Sequence, residues 1–158
     1  MLNGVQGIRA CLGLYLGHSD WLEVDPATIK RFESLPDADF GEQADAFGSD
    51  VIPSRVALGL VVHLVQQVYV LENASNVAHH AVQCIELLSL PTIGSAVRVG
   101  ATVKGLRPIG ERWEVQLACV MECDATSEPV LRADVLLRFK PRPESSGSNL
   151  RLVRSCLL

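Results

Sequence analysis

The sequence predicts an α+β fold in which an antiparallel sheet of about five strands wraps around one long central helix. Three observations predict it. Val56, Leu60, Val61, Leu64, Val65 and Val68 recur at helical spacing in the middle of the chain. Four strand-like segments follow, residues 77–88, 96–106, 113–123 and 130–139. The segments between them, Gly94-Ser95, Pro108-Ile109-Gly110 and residues 124–129, carry the residues of hairpins and tight turns, which join antiparallel neighbours. A sheet curled around the helix covers an apolar face that each element alone would leave in water.

Each element has a local reason. Residues 20–25 alternate apolar and polar side chains as a half-buried strand does, and Pro26 then opens a helical stretch through Ile29 and Phe32. Residues 35–50 are rich in Asp, Gly and Ala without a sustained period, a loop of about fifteen residues, and loops of that length often carry function. Pro53 with Ser54 suits the start of the central helix, and Glu72-Asn73-Ala74-Ser75-Asn76 reads as the turn after it. The chain reads as a single domain over residues 1–140. Residues 141–158 begin with a Pro, Ser and Gly-rich run and form a flexible tail.

Composition excludes several classes. With 158 residues, 48% hydrophobic and 20% charged, the chain is of ordinary globular composition and is neither disordered nor fibrous. The apolar stretch from Val56 to Leu71 is interrupted by His63, Gln66 and Gln67 and is shorter than the roughly 20 residues of a membrane span. The N-terminus shows no basic run leading into an apolar core, so a signal peptide is not expected and a cytoplasmic location is. A net charge of −4 with scattered Lys and Arg offers no stripe for a phosphate backbone, so no nucleic-acid partner is expected. The five cysteines, Cys11, Cys84, Cys119, Cys123 and Cys156, are odd in number, lack disulfide or metal spacing, and read as reduced thiols. No metal and no cofactor is implied.

The groups able to do chemistry are few. Asp37, Asp39, Glu42, Asp45 and Asp50 crowd one loop, as a site with a raised carboxyl pKa or as a solvated acidic segment. His63 lies on the central helix, as a core or interface residue or as a catalytic one. His79 and His80 are adjacent on a strand, so regular alternation would send only one of them toward the helix. His18 reads as a surface residue. Arg55 stands in the first turn of the central helix, where free backbone N–H groups favour an anion or a thioester oxygen, or pairs with the acidic loop before it.

Four segments, spanning residues 14–139, resemble the MaoC/NodN-type enoyl-thioester hydratases in order and spacing. They are Leu16-Gly17-His18-Ser19-Asp20-Trp21-Leu22-Glu23-Val24-Asp25, Arg55-Val56-Ala57-Leu58-Gly59-Leu60, His79-His80-Ala81-Val82-Gln83-Cys84-Ile85-Glu86-Leu87 and Ile93-Gly94-Ser95-Ala96-Val97-Arg98-Val99. The last is similar to the family's Val-Gly-Ser-x-Val-Arg hairpin. The second is similar to its Ile-Ala-His-Gly helix start, with Gly59 kept and the His absent. The resemblance implies the hot-dog fold and an acyl-thioester ligand, on coenzyme A or a carrier protein. It also implies a substrate contact at Arg55, Leu58 and Gly59, and a homodimer or a heterodimer with another hot-dog chain.

Hydratases of this family add or remove water across the α,β double bond of an acyl thioester, using an Asp and a His in the loop after the first helix, one to position water and one to exchange the second proton. Counted from Phe32, these positions fall on Ala38 and Gln43, which do neither. Asp37 or Asp39 stands one residue away, but no His lies between His18 and His63. Two readings follow. One is a binding or partner subunit that is not a classical hydratase. The other is a dehydratase, cyclase or thioesterase in which Asp37 or Asp39 works with His63, His79 or His80.

Overall fold

Alternating side chains build the sheet. The computed structural model describes residues 1–33 and 50–143 of the chain. In order they form β1 (Leu2–Asn3), α1 (Gly4–Ala10), β2 (Tyr15–His18), β3 (Leu22–Glu23), α2 (Pro26–Glu33) and α3 (Ser54–Val65). Then come β4 (Leu71–Glu72), β5 (Ala74–Leu87), β6 (Ala96–Ile109), β7 (Arg112–Cys123) and β8 (Leu131–Pro141). The main sheet runs β2-β6-β7-β8-β5, β3 also pairs with β6, and each pairing in it is antiparallel. Odd-numbered residues such as Val97, Val99, Leu117, Met121, Val135 and Leu137 are buried on one face of β6, β7 and β8. Against that face α3 lays Val56, Leu60, Val61 and Leu64, all buried, and packs mainly on β6 and β7.

The central helix begins at Ser54 after an extended Pro53, as the sequence predicts. It ends at Val65, short of the predicted Val68, because the chain tightens there: Gln67 N–H donates to the Leu64 carbonyl and Val68 N–H to the Val65 carbonyl. The predicted strand over residues 20–25 is a shortened one. Only Leu22–Glu23 of it pairs, as β3, while residues 19–21 separate it from β2, and the buried Ser19 hydroxyl accepts the Val99 N–H at 3.0 Å in that gap. Asp25 caps α2, its carboxylate accepting the Thr28 N–H at 2.7 Å and the Thr28 hydroxyl at 2.8 Å.

The N-terminal fourteen residues hold two elements that sequence reasoning passed over. Two glycines in seven residues weaken α1 as an autonomous helix. It forms because Ile8 is buried and because β1 pairs in parallel with β4, Leu2 against Leu71 and Asn3 against Glu72. The Gly94-Ser95 turn also has a tertiary task. Gly94 N–H donates to the Val24 carbonyl and Val24 N–H to the Ser95 carbonyl, which locks the end of β3 to the start of β6. No helix among the described residues is long and apolar enough to cross a membrane.

Candidate functional site

β5 is the last strand of the sheet, and its outer edge has no partner among the described residues. It pairs with β8 through three irregularities, between Ser75 and Ala78, His79 and Ala81, and Gln83 and Glu86. Each gives β5 an extra residue, so simple alternation fails along it. His79 pairs with Leu137, which belongs to the face covered by α3, whereas Ala81 pairs with Leu136 on the opposite face. His80 is the additional residue between them, so parity does not decide where it points.

On the α3 side, His79 meets Tyr69, which stands just past the end of α3. The Tyr69 hydroxyl oxygen lies 3.4 Å from His79 Nε2. That is the loose end of the range for a hydrogen bond. Burial pushes the Tyr69 phenol above its ordinary 10.0, with the nearby Cys119 adding to the effect, and burial lowers the His79 imidazole below 6.5. Both groups are therefore neutral at pH 7, one as a donor and one as a base. Cys119, below them in the core, is pushed up to about 12 by burial and then by Asp134, so it stays a thiol.

His63 has different surroundings. Like His79 it is exposed, but it stands on α3 and meets the Phe32 ring edge-on at a centroid distance of 6.2 Å. Gly59 lies beside it, and a Cβ there would stand 2.9 Å from the Phe32 ring, so the missing side chain is what lets α2 approach α3. Leu58 is half-buried against the core, and Arg55 is half-buried in the first turn of α3. His80 is exposed. His18 Nδ1 lies 3.1 Å from the Ser19 carbonyl, and Arg98 reaches its Nε2 at 3.2 Å while covering the Trp21 ring. Asp37, Asp39, Glu42 and Asp45 lie outside the described residues, as do residues 144–158; Asp50 is described and exposed. Among the described residues no group of three or more His, Cys, Asp or Glu is arranged to hold a metal ion.

Tyr69 was missed by sequence reasoning. It sits after the helical run with no motif around it, and only the fold brings it to a residue ten positions on. A second omission lies on the far face of the sheet, where the buried Glu114 and Asp134 are held by Arg107 with Arg138 and by Lys104 with Gln116. Alternation along β7 already points Glu114 away from α3, but its partners come from register.

No family model matches the chain, and no curated protein matches it in sequence. Solved structures do. A monoamine oxidase regulatory protein from Archaeoglobus fulgius superposes with a TM-score of 0.69 at 18% identity, covering 89% of this chain and 97% of that one. A MaoC-like dehydratase from Rhodospirillum rubrum gives 0.59 at 17% identity, covering 84% and 94%. A hot-dog-like protein from Thermanaerovibrio acidaminovorans gives 0.52 at 15%, covering 81% of each chain. This chain has the hot-dog fold. Within that hot-dog, α3 is the enclosed helix, and the Tyr69–His79 pair sits where the sheet extends beyond it to its last strand.

Proposed function

We propose that this hot-dog protein binds the acyl group of a thioester, carried on coenzyme A or a carrier protein, and works as one subunit of a homodimer or of a heterodimer with another hot-dog chain. It is not a classical enoyl-thioester hydratase, because Ala38 and Gln43 stand where that chemistry needs an Asp and a His. The observation that carries the reading is β5. A fourteen-residue terminal strand leaves Val77, Ile85 and Leu87 exposed, with Leu88 exposed just beyond it, and its outer edge has no partner strand among the described residues. An edge of that length and composition calls for a partner strand. On the α3 side of β5 the apolar Val82 and Leu87 and the polar His79 stand opposite Val135, Leu131 and Leu137. That suits an acyl chain with one polar end.

Calorimetric titration of the purified protein with butyryl-CoA and decanoyl-CoA, alongside its solution mass, tests this reading. Saturable binding by a dimer is expected, with no hydration of crotonyl-CoA. A monomer without affinity for either thioester would overturn it. A second reading, an enzyme whose site has been reused with Asp37 or Asp39 and a histidine, is favoured by the meeting of His79 with Tyr69. Under that reading Arg55, Leu58 and Gly59 contact substrate. Activity unchanged by His63→Ala, His79→Ala and His80→Ala, each made singly, would remove its histidine component.

A further inference from the structure

We propose that Tyr69 and His79 form a general acid–base pair that hydrolyses the bound acyl thioester. The inference rests on the thioester-binding reading and adds a reaction to it. Three features of the geometry support it. The pair is set by two independent devices: the turn after α3, which positions Tyr69, and the irregular β5–β8 register, which places His79 opposite Leu137 on the α3 side. The 3.4 Å contact leaves either group free to turn to a third polar atom, as catalytic pairs do before substrate arrives. Along the same side of β5, Val82 and Leu87 follow His79 at the positions opposite Val135 and Leu131. An acyl chain lying along them brings its carbonyl to the pair at one end.

The reaction needs no further group. His79 takes a proton from water as the water oxygen bonds to the carbonyl carbon. The Tyr69 hydroxyl donates a hydrogen bond to the carbonyl oxygen as negative charge gathers there. When the carbon–sulfur bond breaks, the electron pair leaves with sulfur, and the imidazolium returns its proton to the thiolate. One thioester and one water become one carboxylic acid and one thiol, and both side chains end as they began. Water has access because His79 is exposed. Cys119 is excluded as the nucleophile, since it is buried and held as the thiol.

The test uses the whole chain with butyryl-CoA and decanoyl-CoA, following free thiol by its reaction with a chromogenic disulfide and, separately, affinity by calorimetry. His79→Gln is expected to lower the rate of thiol release about 100-fold and Tyr69→Phe by a comparable factor, each with little change in affinity. Glu128→Gln, in the exposed β7–β8 turn, leaves the rate unchanged. Tyr69→Phe keeps the ring, so it separates loss of the hydroxyl from loss of packing. Binding without thiol release by the unaltered protein would overturn the hydrolysis, and release that survives His79→Gln would overturn its assignment to this pair; either leaves the thioester reading standing. Absence of binding would overturn both.

Discussion

Glu114 lies buried on the face of β7 that points away from α3, and each of its oxygens is taken by an arginine. Arg107 approaches Oε1 at 2.6 Å and Arg138 approaches Oε2 at 2.9 Å. Burial by itself would raise the carboxyl, but the hydrogen bonds from Arg138 and Arg107 outweigh it and hold the group below its ordinary 4.5. The folded state therefore holds this proton less tightly than the unfolded state. The stability that results is present above the ordinary value and is lost as pH falls through the lower, folded one. Glu114→Gln should flatten the acid limb of the stability curve as pH falls below the ordinary 4.5, and cost about 2 kcal/mol at neutral pH. Urea unfolding across that range checks both, and an acid limb as steep as the original would show that other carboxylates carry it.

Elements meet in this protein where a side chain is missing. Gly59 admits the Phe32 ring to the surface of α3, and Gly100 admits Tyr15, whose ring lies across β6 from β2. At Gly59 two effects oppose each other. Alanine would favour the helix by about 1 kcal/mol. Its Cβ would also press on the Phe32 ring, at a cost of about 1–3 kcal/mol or a displaced α2. Gly59→Ala should therefore lower the melting temperature and speed hydrogen exchange in α2 while leaving the sheet protected. A rise in melting temperature with α2 still protected would show that the ring moves aside freely. In sequence Gly59 stood out only through the resemblance, as part of a substrate-contacting helix start. The contact with Phe32 became visible once α2 and α3 were packed, because a helix–helix contact depends on which faces meet.

For the whole molecule the exposed edge is the decisive feature. Among the described residues β5 ends the sheet, with Val77 44% and Ile85 48% exposed, so a second sheet continuing from it would bury apolar surface and pair the backbone groups of its outer edge. The irregularities along β5 restrict which stretches of the edge can pair. Replacing Val77 and Ile85 together by Lys should convert a dimer to a monomer in sedimentation. Since both residues are exposed, the monomer should keep its own stability to within about 0.5 kcal/mol per substitution. A dimer that survives the double change would place the interface elsewhere.

Periodicity carried the architecture. A helical run followed by four alternating segments predicted a sheet around one helix, and that is observed, but the order of its strands is not the order of the chain: β5 crosses to the far edge and pairs with β8 instead of β6. Local chemistry also carried the start of α3 and the turns that join β6 to β7 and β7 to β8, since these depend on residues a few positions apart, but the Gly94-Ser95 turn closes no hairpin, because β5 pairs with β8 and not with β6. What no local pattern held was α1, whose glycines argue against a helix and whose existence depends on Ile8 finding the core. The shape of β5 was equally hidden, because bulges arise from fitting one strand to another, and so the regular alternation assumed for His79 and His80 did not hold. The meeting of Tyr69 with His79 belongs to the same class. A phenol and an imidazole become a pair only when a helix end and a sheet edge converge, and that distance is set by packing across the whole core.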